Sequence, residues 1–146
     1  MAYLVHKAAR TALVAGQLTG SPDIRAMLVM TNTTADTEED AASLAAFTTL
    51  DEYDGSGYAR IDLASVAMAS DDVNNRHELT AALGSFGTAV GAGVRNAAGV
   101  LYYLHVDGTA ANDKPIAFND TGGFPQNGAG GKWELTPSAE GLLQIA

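Results

Sequence analysis

Residues 100–106 read VLYYLHV. Strict alternation sets Val100, Tyr102, Leu104 and Val106 on one side and Leu101, Tyr103 and His105 on the other. β-Branched and aromatic side chains suit a pleated surface, so the stretch predicts a strand. Turn-forming sequence brackets it: the Gly-rich SFGTAVGAGVRNAAG of residues 85–99 ahead of it reads as loop with strand fragments, and the cluster DGTAAND of 107–113 follows it.

Working outward, other short runs have the same character. DIRAMLVMT (23–31) is an apolar run of strand length, and YARIDL (58–63) alternates, with Ala59, Ile61 and Leu63 opposite Tyr58, Arg60 and Asp62. KPIAFND (114–120) is a short run; beyond it TGGFPQNGAGG (121–131) is all turn-formers, before the last strand candidates, GKWELTP and GLLQIA. NNRHELTAAL (74–83) fits strand or helix, and residues 64–72 read as small and polar. Thr37 is a credible N-cap for one short helix, with Glu38, Glu39 and Asp40 in its first turn and Ala42, Leu44, Ala45 and Phe47 beyond. Residues 1–20, closed by TGSPD, fit either a short helix with Leu4, Ala8, Thr11 and Ala15 on one face or an extended arm. Periodicity leaves both open. The expected fold is mainly β: an antiparallel sandwich or jelly-roll-like barrel with one short helix and an N-terminal arm, residues 21–146 forming a single β-rich domain.

Bulk composition narrows function. Eight Lys and Arg against seventeen Asp and Glu give a net charge of −9, spread along the chain. Nucleic acid and anionic membrane are therefore not expected as partners, since both demand a basic face. There is no cysteine, hence no disulfide, thiolate metal site or cysteine nucleophile, and a reducing compartment is expected. Lys7 and Arg10 interrupt the stretch where a secretion signal would carry its apolar run, and no segment has the ~18 apolar residues of a bilayer span. A soluble protein made in the cytoplasm is the expectation. With 27 Ala and 16 Gly the apolar fraction is built from small side chains, which favours modest stability and support from neighbours.

Motifs for chemistry are missing. DEYDGSG (51–57) places acids before glycines, but from Asp51 the third position of a calcium loop is Tyr53 and the sixth is Ser56, so that template fails. The stretch reads instead as an exposed bend with solvated acids. The other carboxylates lie in turn or cap contexts and not in the apolar setting an acid/base pair requires. His6, His77 and His105 stand alone, without the spacing of a metal site. There is no nucleophile elbow, dinucleotide fingerprint or phosphate loop. No catalytic residue, metal or cofactor is expected.

The succession AARTALVAGQL, then residues 23–64 from DIRAMLVMTNTTADTEEDAASL to the DEYDG turn and YARIDLA, then NNRHEL, GVLYYLHVDGTAANDKPIAFND and AEGLLQIA, resembles a family of small structural proteins of tailed bacteriophages and prophages. The likeness runs over nearly the whole chain and is most specific at 23–63. It implies a head decoration or cement protein on the outer capsid shell, often a β-rich trimer, with the major capsid protein as partner and no catalytic residues. On that reading docking falls to Tyr3, Leu4, His6, Lys7 and Arg10, and subunit contacts to Leu101, Tyr103 and His105. Two alternatives remain: a head-to-tail or tail-associated component, and a small glycan-binding β module, which would need a cleft lined by Trp133, Tyr102 or Tyr103.

Overall fold

The computed structural model describes residues 3–137 and 142–145. The chain runs β1 (Tyr3–Val5), α1 (Lys7–Val14), β2 (Ile24–Met30), a 3₁₀ turn (Leu44–Ala46), β3 (Ile61–Asp62), β4 (Ala67–Asp71), β5 (Arg76–Thr80), β6 (Gly84–Val90), β7 (Ala97–Leu104), β8 (Lys114–Asn119), β9 (Gly131–Leu135) and β10 (Leu143–Ile145). All strand pairings are antiparallel: a five-stranded sheet in the order β1-β8-β7-β2-β3, a three-stranded sheet β10-β5-β4 and a two-stranded sheet β6-β9. The fold is thus an antiparallel β sandwich with one short helix.

VLYYLHV supplies the centre of the large sheet. Tyr102 lies opposite Ala26 of β2 and Ala117 of β8, and every residue from Gly99 to Leu104 is buried. Both faces of this sheet are therefore covered. Leu28, Val100, Tyr102 and Ile116 share a core with Leu79, Phe86 and Leu135 of the smaller sheets and with Ala9 and Ala12 of α1. Met27, Val29, Leu101, Tyr103 and Phe118 are capped by Ala35, Ala41, Leu44 and Phe47. At about 1.5–3 kcal/mol for each large apolar side chain withdrawn from water, this two-sided burial is the main favourable term in folding.

The capping segment is where a helix was expected, and it is not one. Glu38 accepts hydrogen bonds from the Thr34 hydroxyl and the Thr48 amide, each at 2.7 Å, and the Leu44 and Ala45 amides donate to the carbonyls of Asp113 and Ala110. Local polar side chains and distant carbonyls thus take up groups that a helix would pair internally. The three-residue spacing of Ala41, Leu44 and Phe47 lays apolar groups onto the sheet from an irregular chain. Among the described residues the one α-helix is α1, within the 1–20 stretch for which a short helix or an extended arm was open. β1 pairs with β8, while Ala8, Ala9 and Ala12 are buried. A further strand, β4, runs through the stretch that reads as merely small and polar; it forms a hairpin with β5 whose residues are largely exposed, so no apolar period marks it. Among the described residues no helix is long and apolar enough to cross a membrane.

His6, at the N-cap of α1, is wholly buried, edge-on to Phe47 at 5.3 Å, and neither ring nitrogen makes a hydrogen bond of acceptable geometry. Burial pushes its pKa below the ordinary histidine value, against the opposing pull of the Glu38 carbonyl and the Glu39 carboxylate. Below about pH 6.5 the unfolded chain binds a proton at His6 that the folded chain refuses, so stability falls with pH there and is insensitive to this group above it. His6→Phe is expected to abolish that part of the acid slope and to raise Tm, because two unpartnered buried nitrogens cost about 1–3 kcal/mol. Thermal melts of both proteins between about pH 7.5 and 5 measure this; an unchanged slope in the variant would assign it to other groups.

Candidate functional site

Residues 51–60 leave the edge of β2 and return to it, and their polar groups fasten the excursion. The Met30 amide donates to the Asp51 carbonyl at 2.7 Å and the Tyr53 amide to the Leu28 carbonyl at 2.9 Å. Between them the Leu28 amide finds the Tyr58 hydroxyl at 3.1 Å, and that hydroxyl donates to Glu52 at 2.9 Å. Glu52 in turn receives Arg60 through Nε at 2.8 Å and through its terminal nitrogen at 2.7 Å. Burial first, and the Glu52 carboxylate second, push the Tyr58 pKa up; hydrogen bonding to Glu52 holds the Arg60 pKa up. Asp51 pairs with Arg95 at 2.6 Å. The acids of DEYDG are therefore half-buried fasteners, a correction to the exposed bend expected of them; only Asp54 is exposed, and its carboxylate caps the Val94 amide at 2.9 Å.

Tyr53 ties this excursion to both glycine-rich loops. Its hydroxyl accepts from the amides of Gly93 at 2.9 Å and Gly128 at 2.8 Å, and lies 2.9 Å from the Gly91 carbonyl and 2.5 Å from Asn127 Oδ1. One proton serves the last two acceptors. The glycines are needed because the backbones nearly touch: a Cβ on Gly128 would stand 2.1 Å from the Gly91 carbonyl oxygen, and one on Gly55 would stand 2.2 Å from it. The Tyr53 ring stacks on Trp133 with centroids 5.4 Å apart and meets Tyr58 edge-on at 5.7 Å, while Tyr58 stacks on Phe86 at 6.0 Å.

Trp133 and Phe86 of this group line one side of a cleft of about 850 Å³ between the large sheet and β9. Trp133, Phe86 and Phe124 contribute rings, Tyr102 and Val100 of β7 form the floor, and Asn119, Gln126, Lys132 and Glu134 supply polar groups. Lys132 and Glu134 neutralise each other at 2.6 Å. Tyr102 is 3% exposed, and its hydroxyl has no hydrogen-bond partner among the described residues; burial raises its pKa, so it stays protonated. Among those residues no cluster of His, Asp or Glu is arranged to hold a metal ion.

The residues singled out from sequence are scattered. Lys7 and Arg10 are exposed on the outer face of α1, Leu4 is half-buried under the second core, and His6 is inside, out of reach of a docking surface. Tyr3 pairs through its backbone with Asn119, its side chain being outside the described part of the structure. Leu101 and Tyr103 are 0% and 1% exposed beneath the 31–50 segment, so they are core and not a free interface; the segment that covers them is the one expected to hold a short helix. His105 is half-buried beside Asp113, Nδ1 to Oδ2 3.4 Å. Tyr102 and Trp133 do line one cleft, whereas Tyr103 points to the opposite face. The Tyr53 junction went unread; its signal was an aromatic set among acids and glycines, Tyr53 and Tyr58 around DGSG. Set against protein-family models, curated proteins and solved structures, the chain matches none of them.

Proposed function

We propose that the chain is a structural protein of a tailed-phage virion, a decoration or cement protein that docks on the outer head shell by the outer face of α1. Besides the sequence resemblance, one observation carries the reading. Lys7, Arg10, Thr11 and Val14 form a single exposed stripe on α1, with Val14 90% exposed, on a chain of net charge −9. Arg25, Arg60, Arg76, Arg95 and Lys132 are each paired with a carboxylate, and Lys114 with the Gln17 amide. Lys7 and Arg10 have no such partner among the described residues. A cationic and apolar stripe held on an otherwise acidic body fits an acidic patch on the capsid lattice.

The action is physical. A protein that binds only where lattice subunits adjoin stabilises the assembled shell by mass action, and symmetric copies multiply a modest contact through avidity. A trimer remains part of the proposal, without Leu101 and Tyr103 as its contacts. Removing residues 2–16 is a poor test because it strips β1 and the buried alanines of α1. Lys7→Glu with Arg10→Glu is the better one: both side chains are exposed, and acids near a helix N-terminus suit its dipole, so the melt should not move. Binding to expanded capsids is expected to fall at least about ten-fold through like-charge juxtaposition. Undiminished binding by a folded double variant would sink the docking face. Occupancy as a ring at the neck, instead of over the shell, would favour the tail-associated alternative.

A further inference from the structure

We propose that the cleft between β7 and β9 binds a neutral saccharide, one or two pyranose rings, as a function separate from docking. Its volume of about 850 Å³ lies within the roughly 300–1,000 Å³ usual for small-ligand sites. The chemistry of its walls selects the ligand class. Trp133, Phe86 and Phe124 present ring surface, which takes the apolar C–H face of a sugar. Tyr102, 3% exposed as a residue, lines the cleft and its hydroxyl has donor and acceptor capacity unspent among the described residues, where the Trp133 indole N–H also makes no hydrogen bond. A hydroxyl at the edge of an apolar wall, unpartnered by the protein, is completed by a ligand or water.

Further out, the Gln126 side-chain amide is exposed and unengaged, and Asn119 keeps its Nδ2 free while its Oδ1 accepts from Thr121. Uncharged donors and acceptors set around aromatic faces match a polyol with one apolar side. Among the described residues that line the cleft, an anionic ligand finds no free cation, because Lys132 is bound to Glu134 at 2.6 Å, and a cationic one finds no free carboxylate. A planar aromatic ligand would use the rings and leave the Tyr102 hydroxyl unsatisfied.

The test uses the full chain and a panel of neutral and acidic oligosaccharides, followed by titration of the hits while Trp133 fluorescence and its indole N–H resonance are monitored. Neutral hexose or N-acetylhexosamine oligomers are expected to bind and to perturb Trp133. Tyr102→Phe deletes only a hydroxyl that bonds nothing in the protein, so its melting temperature should be unchanged while affinity falls about three- to ten-fold, the worth of one hydrogen bond. Gln126→Ala, on the exposed rim, should weaken binding without touching the fold. To separate sources, the same chain is offered free oligosaccharide and polysaccharide on intact bacterial cells; binding to either supports the site and identifies where its ligand resides. The proposal is overturned if no neutral oligosaccharide at millimolar concentration perturbs Trp133, if acidic glycans bind better than neutral ones, or if Tyr102→Phe binds as the parent does. Because neither variant touches α1, failure here leaves the capsid reading standing, and loss of capsid binding leaves this one.

Discussion

Tyr53→Ala is expected to destabilise the chain by about 4 kcal/mol or more, a large share of the roughly 5–15 kcal/mol by which domains are stable. Two losses combine. Removing a ring that is 2% exposed, stacked on Trp133 and edge-on to Tyr58, leaves a cavity worth about 3–5 kcal/mol by itself. The Gly93 and Gly128 amides also lose their shared acceptor, although Asn127 Oδ1 still faces both, at 2.8 and 3.0 Å. Tyr53→Phe isolates this second loss and should cost about 1–3 kcal/mol. Urea midpoints give the two energies, and amide exchange at Gly91, Gly93 and Gly128 gives their location: both loops should lose protection together in Tyr53→Phe. Independent loosening of one loop would show that the hydroxyl does not join them.

Tyr103→Ala is the second large effect, expected at about 3–5 kcal/mol. Its ring is 1% exposed beneath Leu44 and Phe47, its hydroxyl receives Arg60 at 3.2 Å, and the guanidinium carbon lies 5.5 Å from the ring centroid. The loss should appear in the monomer, in a unimolecular unfolding transition independent of protein concentration. If Tyr103 were instead a subunit contact, the monomer would keep its stability and the variant would change the oligomer's mass. Denaturation at two concentrations, with light scattering on the folded variant, tells the two apart.

How much of this was legible follows from what each segment packs against. VLYYLHV and DIRAMLVMT declare themselves because a central strand buried on both faces is apolar along its length, and they are β7 and β2. Alternation in YARIDL picks out the inward Ile61 and outward Asp62, but pairing stops after two residues, where the chain turns away from β2. NNRHELTAAL left strand and helix open; hydrogen bonding to β4 and β10 on either side settles β5 as strand. The helix expected from Thr37 onward does not form for a physical reason: Glu38 is as well served by Thr34 and Thr48 as by a helix terminus, while the short helix left open within 1–20 does form. In α1 no acidic residue opens the first turn and the N-cap residue, His6, makes no side-chain capping bond, so its end signals were absent.

The site was harder to read because its parts converge from far along the chain. Tyr53, Gly93 and Gly128 meet at a single oxygen, and Tyr102 and Trp133 line the same cleft. Short-range periodicity carries no trace of such distances. What sequence did offer was negative space: glycines placed where backbones must nearly touch, and aromatic residues whose polar ends need partners.

If the protein acts by occupying a capsid lattice, as proposed, counting its copies in purified virions from a culture that expresses it is the decisive measurement. Quantitative mass spectrometry against the major capsid protein, with density on the head surface located by electron microscopy, is expected to return on the order of hundreds of copies in register with the shell symmetry. Particles that carry none, in a lysate that contains the protein, would rule out a place in the shell.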